Sequence, residues 1–405
     1  MTNDYLHREP LWTRDFILAC ASNVFVFFAV HLFLSTVAAY SIQRFMVGDA
    51  EGGAASGLFI IGALFARLLA GPAMQRFSLR WLAIGMFISF AIFPLLYMAT
   101  GQYWLLIAER IVHGMTFGIG SSVIATLAIQ HVPQMRIAEG TSWYASSTVL
   151  GVAMGPLVGL YLFRTIGFEA VSWAAVIAAL VGMGIIALLK VEPSPVAPKQ
   201  HGDAPKPSWL SNFLEPASLP IALIGAAWTL GYASIVTLLN ALADERNLGT
   251  SVSWFFLVYA LVTIASRQFT GKIMDRRGFH VVMIPAFVSF AAGLFILSIA
   301  ENLITLFVAA ALVGLGQGNL LSAGQTIAVK QAERHRIGMA ASTFFLGIDA
   351  GMGTGPIIAG AIVAATSPSA TYGIISVFVL ALTLVYAAIY VRPNKANPTA
   401  TKRGN

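Results

Sequence analysis

A shift of 200 residues, from Arg67 to Arg267, brings this chain's least interchangeable residues into register with one another. Arg67, Gly71 and Arg76 fall on Arg267, Gly271 and Arg276; Ser89-Phe90-Ala91 fall on Ser289-Phe290-Ala291; Gly114 and Gly118 fall on Gly314 and Gly318. Further on, Arg136-Ile137, Ser142, Gly151 and Gly155-Pro156 meet Arg336-Ile337, Ser342, Gly351 and Gly355-Pro356. Glycine weakens a helix and arginine carries a charge that lipid rejects, so neither recurs at random inside apolar segments. The shared register implies two halves of like fold, made by duplication and arranged as parallel repeats.

The composition places those halves in a bilayer. Hydrophobic residues make up 58% and charged residues 10% of the chain, where a soluble domain carries about 25% charged residues. Mean hydropathy is +0.79. Apolar runs of roughly 20 residues, long enough to cross about 30 Å of hydrocarbon as a helix, occupy about 15–40, 52–75, 80–99, 103–129, 140–163, 169–190, 217–242, 251–273, 281–300, 303–329, 338–366 and 369–391. No alternation of polar and apolar residues suggests a barrel, and helices alone then satisfy the backbone in lipid. The expected fold is all-α and membrane-embedded, with twelve transmembrane helices in two pseudo-symmetric six-helix bundles, residues 1–190 and 217–405, joined by a linker at 191–216.

Basic residues set the expected orientation. With the N-terminus in the cytoplasm, almost all of the 24 Lys and Arg lie on inner segments; Arg44, Arg164 and Arg246 are left outside, and Arg110 lies within a helix. This follows the positive-inside rule and puts both termini and the proline-rich linker in the cytoplasm, the protein being in the inner membrane. It also accounts for the net charge of +7, so no nucleic-acid partner is needed to explain it. The first apolar run is long enough to remain as a span, so no cleavable signal peptide is expected. Cys20 is the only cysteine, which excludes an intrachain disulfide.

Two loops carry the next signal. Gly271-Lys272-Ile273-Met274-Asp275-Arg276-Arg277-Gly278 follows the pattern G-x-x-x-D-R-x-G. The first half has Gly71, Gln75, Arg76 and Ser78 at the matching positions, so Gln and Ser replace Asp and Gly. Gly lets two helices approach closely, an acid can accept N–H groups at a helix start, and Arg anchors at the headgroups. With two six-helix halves and these loops after the second and eighth spans, the chain resembles the major facilitator superfamily along essentially its whole length.

Within that resemblance, Ser142, Gly151, Gly155-Pro156 and Gly159 are similar to the antiporter motif G-(8)-G-(3)-G-P-(2)-G, with Ser in place of the first Gly. The motif implies export in exchange for protons. Gly151, Gly155 and Gly159 recur every four residues and so form one smooth stripe for another helix. Pro156 frees a carbonyl and permits a bend. Arg110 and Gly114 match the family's R-x-x-x-G element, which implies a part for Arg110 in proton transfer. The stretch Arg110–Gly118 also loosely resembles exporters of opine-type metallophores.

Ionisable residues at membrane depth mark candidate sites. Asp349 lies about eleven residues into its span, roughly 16 Å from the end at 1.5 Å per residue, and is the leading candidate for proton coupling or for holding a cationic group. Glu109 and His113 are one turn apart and can share a proton. His31 is a weaker candidate. Asn23, Trp228, Tyr232, Asn240, Gln317, Asn319 and Gln325 are candidate cavity-lining residues, although Asn and Gln also join helices.

No His or Cys pair has metal-ligand spacing, and Gly314-Leu315-Gly316-Gln317-Gly318 lies inside an apolar span without a strand before it. Neither an enzyme, nor a metal site, nor a cofactor is expected. The expected function is proton-coupled export of a small organic molecule, a drug-like compound or a metabolite, by a monomer that works by alternating access. A proton-linked uptake symporter is the alternative.

Overall fold

The computed structural model describes residues 9–190, 213–248, 252 and 254–391, without the side chains of residues 49, 50 and 240. The termini and nearly all of the linker, on which the cytoplasmic assignment partly rests, lie outside the described residues. Those described form twelve long helices: α1 (Arg14–Phe45), α2 (Asp49–Arg76), α3 (Leu79–Ala99), α4 (Tyr103–Gln130), α5 (Ile137–Thr165), α6 (Phe168–Leu188), α7 (Leu219–Arg246), α8 (Trp254–Arg277), α9 (His280–Ser298), α10 (Leu303–Gln331), α11 (Ile337–Ala365) and α12 (Pro368–Tyr390). Eleven are apolar and long enough to cross a membrane. The exception is α8, whose C-terminal half carries Arg267, Lys272, Asp275, Arg276 and Arg277. The chain is a multi-pass membrane protein.

Local chemistry sets the helix ends. The Thr13 hydroxyl accepts the Phe16 N–H at 3.2 Å and starts α1, satisfying one of the donors a first turn leaves open. Asn302 and Thr305 form a capping box at the start of α10. Gly278 turns α8 into α9 at φ +88°, a conformation open to glycine at little cost. The matching turn in the first half runs through Phe77 and Ser78 with φ of −117° and −62°. No left-handed residue is required there, which explains how Ser78 stands where Gly is usual.

Packing repeats along with the sequence. In the first half α1 lies on α5 and α6, α2 on α4, and α3 on α6; in the second α7 lies on α11 and α12, α8 on α10, and α9 on α12. The Gly151, Gly155 and Gly159 stripe receives α1, as the periodicity predicts. A Cβ at Gly151 would lie 2.7 Å from the Val24 carbonyl, and one at Gly155 2.5 Å from His31 Cβ. Gly114 brings α4 just as close to α2, where a Cβ would meet the Phe59 carbonyl at 2.0 Å.

The turns α2–α3, α4–α5, α8–α9 and α10–α11 gather Arg76, Arg80, Arg136, Arg276, Arg277, Arg334 and Arg336 at one end of the molecule, termed the basic end. The halves meet there, through α2 with α11, α4 with α11, α5 with α8 and α5 with α10. A Cβ at Gly71 would sit 2.9 Å from the Met339 side chain, and one at Gly271 would sit 2.8 Å from Glu139 Cα. Both loop glycines thus allow close approach between the halves.

Candidate functional site: the seam between the halves

Two polar links close the seam from opposite sides. On the α5–α8 side, the Asp275 carboxylate accepts the backbone N–H groups of Ala138 at 3.1 Å and Glu139 at 2.9 Å, in the first turn of α5. An acid at a helix N-terminus meets both unpaired donors and the positive end of the helix dipole. Lys330 lies 3.3 Å from the same carboxylate. Glu139, buried beside it, pairs with Arg136 at 2.8 Å and with Lys272, from the other half, at 3.7 Å. Gln75 in the first half is exposed, as are Arg76 and its second-half counterpart Arg276.

On the α2–α11 side, Arg67 and Asp349 form an ion pair across the seam. Arg67 is 4% exposed and Asp349 20%. Arg67 also donates to the Ser122 hydroxyl on α4 at 3.1 Å, and its backbone carbonyl accepts from Ser342 on α11 at 2.6 Å. The guanidinium lies 5.1 Å from the Phe345 ring centre and 5.7 Å from that of Phe117. These rings exclude water and strengthen the pair, since Coulomb attraction grows as the local dielectric falls. The positive-inside reading counts Arg67 and Arg267 among topogenic charges at a membrane face; both are instead buried, at 4% and 2%.

An aromatic path leads from the pair to α1. Phe117 meets Phe27 edge-on at 5.6 Å, and Phe27 stacks near His31 at 6.2 Å. His31 Nδ1 lies 2.8 Å from the Phe27 carbonyl. A carbonyl can only accept, so Nδ1 carries the hydrogen in this contact.

The α4 group lies elsewhere, inside the first half. Arg110 donates to the Ala55 carbonyl at 2.9 Å and stacks over Phe59, 4.5 Å from its centre. At 1% exposure it does not reach toward the headgroups. Glu109 and His113 do not share a proton as their spacing predicts. Glu109 accepts from Thr100 at 2.6 Å, while His113 Nδ1 meets the Tyr97 hydroxyl at 2.7 Å within a cage of Phe59, Phe90 and Phe93. Tertiary partners from α3 and its following turn outcompete the one-turn contact.

The expected cavity lining divides. Asn23 donates to Ser147 and Thr148 and accepts from Tyr144, joining α1 to α5. Asn319 joins α10 to α8 through Thr270 and Ser266. Trp228 is wholly buried against Phe287 and Phe344. Asn23 and Asn319 thus join helices within their own halves, and the Trp228 indole N–H is buried without a partner among the described residues. Tyr232 is half-buried and stacks on Tyr259 at 5.5 Å. Gln317 and Gln325 are buried, each with one amide atom unpartnered. The side chain of Asn240 lies outside the described residues.

The family model of the Major Facilitator Superfamily matches residues 16–297 and 241–405. The chain belongs to this superfamily. MFS proteins are transporters of small molecules and not enzymes, which agrees with the missing catalytic motifs. A relative from Methanocaldococcus jannaschii, an uncharacterized MFS-type transporter, is 22% identical over 335 residues, 80% of this chain and 85% of its own. The fold is similar to that of the human organic anion transporter MFSD10 (TETRAN), with a TM-score of 0.76 at 13% identity, covering 93% of this chain and 100% of that one. It is also similar to the E. coli fucose:proton symporter FucP, with a TM-score of 0.71 at 15% identity, covering 91% and 98%.

Proposed function

We propose that this MFS transporter exports a small organic molecule in exchange for protons, with the basic end in the cytoplasm of a bacterial-type inner membrane and one chain sufficient for transport. The Arg67–Asp349 pair across the seam carries this reading. An ionised Asp349 holds α11 to α2. Taking up a proton cancels one charge of the pair and removes the attraction between α2 and α11.

The geometry supports a two-state cycle. In the present state the basic end is closed and α1 and α7 have no substantial packing on the other half. A proton reaching Asp349 from the outside loosens α2 from α11 and favours opening at the basic end. There the proton leaves to the cytoplasm as substrate binds. The restored carboxylate then recaptures Arg67 and returns the carrier, with substrate, to the state closed at the basic end. Proton and substrate need not touch the same atom, because each biases the same two-state seam. The glycine stripe on α5, similar to that of antiporters, supports this direction.

Proteoliposomes with an imposed pH gradient test the reading. Substrate should move against the proton flow, and Asp349→Asn should abolish the gradient-driven component. Movement of substrate with the protons would replace export by symport.

A further inference from the structure

The two arginines at this repeat position are not equivalent. Arg67 and Arg267 occupy the same repeat position, each one turn before a glycine that packs on the opposite half. Arg67 has Asp349. The residue related to Asp349 by the 200-residue repeat is Val149, so no acid reaches Arg267 from α5. Arg267 donates Nε and Nη2 to one carbonyl, that of Gly318, at 3.1 and 2.8 Å, while Nη1 is buried without a partner. Among the described residues no carboxylate forms an ion pair with it. Arg110 also lacks an acid, but it is sandwiched against Phe59 and Tyr97 inside one half, away from the seam.

The facing helix has a matching vacancy in its hydrogen bonding. Ser142 on α5 lies against α8, where its hydroxyl would be 2.9 Å from a Cβ at Gly271, and that hydroxyl has no partner. Its repeat counterpart Ser342 is satisfied by the Arg67 carbonyl. A buried guanidinium with a free N–H is costly, and a hydroxyl donor across the seam adds to the imbalance. Both groups need an acceptor, and the arginine needs a negative charge.

We infer that Arg267, assisted by Ser142, binds an anionic group of the substrate, most simply a carboxylate, which would do for the α5–α8 seam what Asp349 does for the α2–α11 seam. The inference rests on the proposed transport function and adds the chemical class of the substrate. Opening of the basic end separates α8 from α5 and exposes both donors to the compartment on that side.

The test uses the purified full chain in detergent at fixed pH with no gradient, and reads thermal unfolding. The probes are benzoate with its neutral counterpart benzamide, glutarate with glutaramide, and phosphatidylglycerol. The carboxylates should raise the midpoint and the amides should not. Arg267→Gln should weaken the apparent carboxylate affinity at least tenfold, Arg267→Lys should retain part of it, and Ser142→Ala should weaken it less. Equal stabilisation by amides, an unchanged response in Arg267→Gln, or a response to phosphatidylglycerol alone would each overturn the proposal. The comparison of acid with amide needs no variant and survives any misfolding of one. Loss of the carboxylate response alongside intact pH-driven transport would remove the anion site only, whereas an intact response without proton coupling would remove the exchange mechanism only.

Discussion

Asp275 at the end of α8 accepts the backbone N–H of Glu139, 2.9 Å away in the first turn of α5 in the other half. The loop acid therefore caps a helix it does not belong to, and its charge helps hold the halves closed. Its first-half counterpart, Gln75, is exposed.

From this contrast, Asp275→Ala should shift the carrier toward the state open at the basic end by about tenfold, given that a helix cap is worth about 0.5–2 kcal/mol. Gln75→Ala should change it less than about twofold, in line with exposed positions. Distances between spin labels on α5 and α8 would measure both. Equal shifts would show that charge in this loop does not hold the seam.

Asp349→Asn should insert and fold yet lose active transport, because the amide cannot take up and release a proton and no longer balances Arg67. The variant should populate the open basic end more than the wild type does. Replacing the two residues together, Arg67→Met with Asp349→Leu, should restore thermal stability without restoring coupling, since breaking one partner of a buried pair costs about 3–5 kcal/mol while removing both costs far less. Recovery of proton-driven transport in the double variant would assign coupling elsewhere.

The glycines separate by their surroundings. Gly155→Ala should destabilise the protein by about 1–3 kcal/mol, the range for overpacking, because the new methyl would press on His31 and the α1 backbone. Gly360→Ala on α11 meets open space and should be neutral or slightly stabilising, as Ala favours a helix over Gly by about 1 kcal/mol. Thermal unfolding in detergent measures both, and equal effects would mean that α1 does not seat on the stripe.

Orientation is checked by single cysteines in a Cys20→Ser background. Ser78 lies at the basic end and Gly101 at the opposite end, both exposed. An impermeant thiol reagent applied to intact cells should label Gly101→Cys and spare Ser78→Cys. The reverse pattern would invert the topology.

The twelve helices were legible because lipid allows only helices or closed barrels to satisfy a spanning backbone, and long apolar runs without alternation select helices. The largest offset is at α1, which runs on to Phe45 rather than ending near residue 40. The stripe at Gly151, Gly155 and Gly159 was legible for a related reason: contacts set by helical period are local, and a period of four marks one face. Asp349 stood out as a charge at depth.

Its partner did not. Arg67 lies 282 residues away in sequence, and nothing local distinguishes an arginine that anchors at a headgroup from one drawn inward by an acid on the opposite half. The signal available was its recurrence as Arg267 inside a second apolar run. Likewise the spacing of Glu109 and His113 allowed a contact that Thr100 and Tyr97 preempted, and Asn23 and Asn319 went to joining helices. Sequence by itself determined the features that solvent and helical period dictate: the spans, their repeat and the close-packing faces. Tertiary structure alone decided which charges meet, because pairing across the seam depends on how two separately folded halves dock, and that is set by distances no local pattern encodes.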